Sequence, residues 1–149
     1  MRDPDALPFV DEHGLRVQAS PDATWAALVA WTARFLKPAP KLFADLWKLE
    51  PDAGFAIAER DEGRRLVLAG EHRFARYQLV FEVEPIGGQA MLRARTLSAF
   101  PGVAGRVYRA LVIGSGGHGV AVRRMLRQIA RRATLPRAGQ GLGAVGCGP

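Results

Sequence analysis

Hydrophobic and polar positions along the chain change their period several times, and each change marks an element. From His13 the pattern alternates, with His13, Leu15, Val17 and Ala19 on one face and Gly14, Arg16 and Gln18 on the other. That period of two predicts a half-buried strand. Ser20-Pro21-Asp22 then reads as a helix start, with Ser20 as N-cap, Pro21 at the first helical position and Asp22 favouring the helix dipole. Trp25, Leu28, Val29, Thr32 and Leu36 follow at helical spacing, which predicts a helix over 21–36, stopped by Pro38 and Pro40. A short second helix is expected over 41–49, with Leu42, Phe43, Leu46 and Leu49 on one side and Pro51 at its end.

Alternation then returns for fifty residues. "FAIAER" (55–60) and "RRLVLAGEHRF" (64–74), separated by Asp61-Glu62-Gly63, predict a hairpin. "RYQLVFEVE" (76–84) sets Tyr77, Leu79, Phe81 and Val83 against Gln78, Val80, Glu82 and Glu84. After a turn over 85–88, "QAMLRARTLSAF" (89–100) sets Leu92, Ala94, Thr96 and Ser98 against Arg93, Arg95 and Leu97. Consecutive strands joined by short turns make an antiparallel meander, which Pro101-Gly102 closes.

The last long segment, 104–133, is free of proline and helical in period. Tyr108, Leu111, Ser115, His118, Val122, Met125, Ile129 and Ala133 recur at spacings of three, four and seven, with Arg109, Arg123, Arg127 and Arg131 on the opposite face. One helix of roughly 25–30 residues accounts for both stripes. Glycines at 114, 116, 117 and 119 each cost about 1 kcal/mol against Ala in a helix interior, so a kink or break there stays open. Residues 134–149, with five glycines and two prolines, are expected to form a disordered tail. The expected layout is an extended lead-in (1–9), one folded domain (10–133) and the tail (134–149).

Composition narrows the class without naming a substrate. At 149 residues the chain has room for one sizeable core. No apolar run reaches the roughly 18 residues of a membrane span, and "MRDPDALPFV" carries no apolar signal region. With Cys147 as the single cysteine, a cytoplasmic location is the expectation. The net charge of +7 is uneven: residues 101–149 hold eight arginines and no acid. This is read first as a solvated helix face. It is read second as a contact with anionic surfaces through Arg123, Arg127 and Arg131, beside Arg124 and Arg132.

"GSGGHG" (114–119) fits the dinucleotide-binding spacing G-x-G-x-x-G. That motif belongs between a strand and a helix in a βαβ unit, with an acidic residue about 20 positions on. Here a meander precedes it, a glycine-rich tail follows, and no Asp or Glu occurs after Glu84. No cofactor is therefore expected. On a helix lying across a sheet, glycines instead permit close packing or leave empty volume beneath. With Ser115 and His118 beside them, that volume would be a small pocket with a hydroxyl and an imidazole at its edge.

The order strand, two helices, meander, long C-terminal helix resembles the helix-grip fold of the SRPBCC superfamily, which includes START lipid-transfer and polyketide cyclase-like proteins. "VQASPDATWAAL", "LAGEHRFARYQLVFEVEP" and "AFPGVAGRVYRALVIGSGGHGVAVRRMLRQIARRA" look most like an uncharacterised bacterial branch of it. The resemblance covers about residues 10–133. It implies an α+β fold, with a curved antiparallel sheet wrapped around the C-terminal helix and a cavity between them for an apolar or lipid-like ligand. The chain shows about five strands where the superfamily has six or seven, and the superfamily shares no catalytic motif, so no site transfers residue by residue.

His118 is the polar residue on an otherwise apolar face. It reads as a satisfied core group, as a hydrogen-bond donor to a ligand, or as an acid/base. The candidate ligand-binding set is His118, Ser115, Tyr77, Phe81, Leu111, Val122 and Trp25. His72 either shares one strand over 64–84 with Tyr77 or ends a hairpin. His13, His72 and His118 are dispersed, so no metal site is expected. Ser115 lacks the G-x-S-x-G elbow of a nucleophile. The leading reading is a binding protein for a small apolar or lipid-like molecule. The alternatives are a cyclase/dehydratase-type enzyme using His118 in the same cavity, and an interaction module acting through the basic helix, without specific nucleic-acid recognition.

Overall fold

The computed structural model describes residues 7–37, 54–72 and 75–136. The chain is α+β: an open five-stranded antiparallel sheet with helices on one face. Strands β1 (Phe9–Val17), β2 (Ala56–Asp61), β3 (Arg65–His72), β4 (Ala75–Ile86) and β5 (Gln89–Ala99) lie in the order β1-β5-β4-β3-β2. Helix α1 (Pro21–Phe35) follows β1, and α2 (Gly102–Val112) and α3 (Gly117–Thr134) follow β5. The expected helix over 41–49, most of the expected tail and Cys147 lie outside the described residues.

Local chemistry accounts for each boundary. Ser20 caps α1 by accepting from the Ala23 amide at 3.1 Å, with Pro21 in the first turn. The β2–β3 hairpin turns through Gly63, whose φ of +78° is a left-handed conformation that side chains resist. Strand β1 begins at Phe9, four residues before the alternation becomes clear, because Asp11 and Glu12 extend its pairing with β5 at Thr96 and Arg95. His72 ends β3 and pairs with Ala75 of β4, so it does not share a strand with Tyr77.

One face of the sheet is apolar and the other is charged, as the alternation requires. Val17, Leu66, Phe81, Leu92 and Ala94 point inward and are buried, meeting Leu28 of α1 and Leu126 and Ile129 of α3. Each such Leu, Ile or Phe contributes about 1.5–3 kcal/mol by leaving water. On the outer face Glu12 accepts from Arg95 at 2.9 Å and from Arg93 at 3.4 Å. Glu82 lies 3.8 Å from Arg95 and 3.7 Å from Arg65. The Arg95 hydrogen bond, with the charges of Arg95 and Arg93, holds the Glu12 carboxyl below its ordinary pKa against the opposing effect of burial.

The single helix expected over 104–133 is two. The chain leaves α2 at Val112 and re-enters α3 at Gly117 through a turn. Gly116 caps α3 at φ +75°, and a Cβ on Gly114 would run into the Ala110 carbonyl. These glycines therefore join two helices, with no strand before them to make a phosphate cradle. Helix α3 crosses the sheet, packing on α1, β1 and β5. Helix α2 turns Val103, Val107 and Leu111 to solvent, each more than half exposed.

Candidate functional site

Between the inner face of the sheet and helices α2 and α3 lies a cavity of about 370 Å³. Alternation on β4 and β5 sends Tyr77, Leu79, Thr96 and Ser98 into it from below. Helix α3 covers it with His118, Val122 and Met125, and α2 closes the end with Tyr108 and Val112. Phe55 and Phe100 complete apolar walls interrupted by a few polar groups, the make-up of a small-molecule site.

Tyr77 owes its position to a glycine. Gly70 stands opposite it on β3, and a Cβ at Gly70 would come within 2.7 Å of the Tyr77 Cζ. The ring therefore lies flat over bare backbone. Phe55 packs against it with centroids 4.5 Å apart. Burial pushes the Tyr77 phenol above its ordinary pKa, and the neighbouring Tyr108 adds to the rise.

A polar corner sits where α3 meets β1 and β5. His118 Nε2 is 3.0 Å from Thr96 Oγ1 and 3.5 Å from Asp11 Oδ1, and Asp11 Oδ2 is 3.1 Å from His13 Nε2. Asp11 and Thr96 are cross-strand partners, so one α3 side chain meets both. A carboxylate only accepts, so the His13 imidazole must carry hydrogen on the nitrogen facing Asp11. His118 Nε2 shares a hydrogen bond with the Thr96 hydroxyl, while Asp11 Oδ1 stays buried without a hydrogen bond of its own. Thr96 and Asp11 meet the same ring nitrogen. A nucleophile relay needs both nitrogens, one to the hydroxyl and one to the acid, so this trio is not set up as one. It offers a fixed hydrogen-bonding group in the cavity wall. Among the described residues, no group of three His, Cys, Asp or Glu side chains is placed to hold a metal ion.

Of the seven candidate residues, the structure brings His118, Tyr77 and Val122 together on the cavity. The other four lie elsewhere. Phe81 is fully buried in the core, 5.8 Å from the Trp31 ring. Trp25 is buried in α1, where its indole donates to Glu62 at 2.8 Å and ties the β2–β3 turn to the helix. Leu111 is 69% exposed on the outside of α2. Ser115 is exposed in the inter-helix turn, donating to the Val112 carbonyl at 3.4 Å. The left-handed residue at 116 resets the helical phase, so Leu111, Ser115 and His118 do not form one stripe. Arg123, Arg127 and Arg131 are exposed on α3, Arg123 donating to the Gly119 carbonyl.

The candidate set left out Asp11, Tyr108 and Phe55, although Tyr108 stood on the periodic stripe of His118. Asp11 was detectable as an acid at the parity of His13, Leu15 and Val17, two residues before that strand was expected to start. Tyr108 and Phe55 carry no such mark, because aromatics on apolar faces are the ordinary content of a core.

No protein-family model and no curated protein matches the chain. Solved structures do. A protein from Chromobacterium violaceum is similar at TM-score 0.57 and 14% identity, covering 87% of this chain and 100% of that one. A conserved protein from Geobacillus kaustophilus is similar at TM-score 0.54 and 9% identity, covering 82% and 93%. One from Nitrosospira multiformis is similar at TM-score 0.53 and 9% identity, covering 83% and 95%. At such identities what the chain shares with them is the fold, an antiparallel sheet crossed by a C-terminal helix.

Proposed function

We propose that this is a helix-grip protein of the SRPBCC type that binds a small, largely apolar molecule between its sheet and α3. The cavity carries the reading: about 370 Å³, walled by Leu79, Val112, Val122 and Met125, with His118 and Thr96 fixed at one side. That volume lies in the range of small-molecule sites, about 300–1,000 Å³. The apolar walls supply affinity by releasing water, and the imidazole and the phenol of Tyr77 orient polar atoms of the guest.

Native mass spectrometry of the purified protein tests this directly. The expected result is a bound small molecule on the wild type and an empty Val112→Trp variant, in which an indole fills the cavity while circular dichroism is unchanged. An equal load on Val112→Trp overturns the proposal. The same measurement on His118→Phe decides whether the imidazole touches the guest.

A second reading, acid/base chemistry on the guest, draws on the Asp11 carboxylate 3.5 Å from His118 Nε2 at the cavity wall. It requires that His118→Gln abolish turnover of a bound carbonyl compound while leaving its binding intact.

A further inference from the structure

The arginines of α3 are not one outward stripe. Arg124, Arg131 and Arg132 turn toward α1, where Arg34 faces them across a groove of about 670 Å³ floored by Trp31 and Phe35. The two rings stack with centroids 4.8 Å apart. Sheet arginines Arg65, Arg93 and Arg95 each have a carboxylate within 4 Å, whereas none of these four does among the described residues. Gln128 adds a donor. The Trp31 indole N–H can only donate, so the Gln128 oxygen must face it at 3.2 Å, leaving the amide NH₂ free to donate in turn.

The groove also touches the cavity. Ala121 and Met125 line both, and Phe35 beneath the groove packs 5.4 Å from Phe55 of the cavity wall. The two spaces follow one another along α3, with His118 at the first and Arg132 at the far end of the second. Fourteen residues of helix separate them, a rise of about 21 Å.

We infer that the groove is the head-group site of the same ligand: an anionic amphiphile whose apolar chain enters the cavity past Met125 and whose carboxylate or phosphate is held by Arg34, Arg124, Arg131 and Arg132. This rests on the cavity-binding reading and names the class of molecule that fits it. Guanidinium groups bind such oxyanions through paired, charge-assisted hydrogen bonds. The stacked rings beneath exclude water from one side of those bonds, which strengthens them.

Calorimetric titration of the intact chain with decanoate, decyl phosphate, decanol and inorganic phosphate separates the elements. The two anionic amphiphiles should bind at least about tenfold tighter than decanol, the difference one or two charge-assisted hydrogen bonds make. In Arg124→Gln/Arg131→Gln that advantage should shrink to about twofold or less, with decanol binding unchanged. Both arginines are on an exposed helix face, and circular dichroism confirms the fold of the variant. Decanol binding as tightly as decanoate overturns the head-group site and leaves the cavity reading standing. Binding of neither decanol nor decanoate overturns both. Inorganic phosphate binding as tightly as decyl phosphate makes the groove a free-anion site and breaks its link to the cavity.

Discussion

Thr96→Val isolates the contact that fixes His118 in the cavity wall. Valine keeps the branched shape on β5 and removes only the hydroxyl that meets His118 Nε2 at 3.0 Å. A neutral hydrogen bond contributes about 0.5–1.5 kcal/mol net. The His118 side chain is 22% exposed, so water in the cavity recovers part of any loss. The lower half of that range, about 0.5–1 kcal/mol, is therefore expected for the pair. Thr96→Val alone also swaps a buried hydroxyl for a methyl, so the single variant mixes two effects. The cycle with His118→Leu cancels the second. Urea unfolding of wild type, both single variants and the double variant should give equal slopes and a coupling energy of about 0.5–1 kcal/mol. A coupling below about 0.3 kcal/mol, the scatter of independent sites, would refute the contact.

Four further outcomes follow from other parts of the fold. Val122→Ala, at 1% exposure, should cost about 2 kcal/mol, while Leu111→Ala should stay within about 0.5 kcal/mol; equal costs in urea unfolding would restore a continuous helix. Gly116→Ala should lose about 1–2 kcal/mol of stability from its left-handed backbone, and a neutral result would place the break elsewhere. Tyrosinate absorbance should show one of the two tyrosines ionising above the ordinary value of about 10, a component absent from Tyr77→Phe. Because folding raises that pKa, the linked stability is full below the unfolded value and is lost as pH climbs from there through the folded one. Glu12 has the opposite sign: its pKa is depressed, so its contribution is present above the unfolded value of about 4.3 and is lost as pH falls through the folded one. As a surface pair it is worth under about 1 kcal/mol, and Glu12→Gln should flatten the acid limb of an unfolding series by that amount.

Much of the fold was legible because single-faced burial leaves a period in the sequence. The alternation in 76–84 and 89–100 assigned the inner face of β4 and β5 residue by residue, Thr96 and Ser98 included. Ser20-Pro21 placed the start of α1 at the observed residue. The site was legible only in part. His118 stood out because an imidazole on an apolar face has to be explained. Leu111 and Ser115 were misplaced because a 3.6-residue period runs through a glycine turn unnoticed, and only the backbone angle at Gly116 resets it. Trp25 and Phe81 were misplaced because a core wall and a cavity wall have the same composition. The arginine groove needs α1 beside α3, and no local pattern carries that long-range pairing.

The order of strands has a consequence for the time at which the molecule becomes itself. Val17 pairs with Ala90 and Phe9 with Leu97, while α1 waits for α3 to cover it. The hairpins from β2 to β5 close over short distances and can form as they are made. Among the described residues, the apolar face of α1, with Trp31 and Leu28, packs on β4, β5 and α3, all made later. At ordinary rates of synthesis the intervening stretch takes on the order of 5–15 seconds to emerge. For that interval the nascent chain carries a bare aromatic helix, a target for chaperones and for other unfinished chains. Among the described residues the cavity is the last part to exist, since its roof, α3, follows every other element. A guest can therefore enter only once α3 has been made.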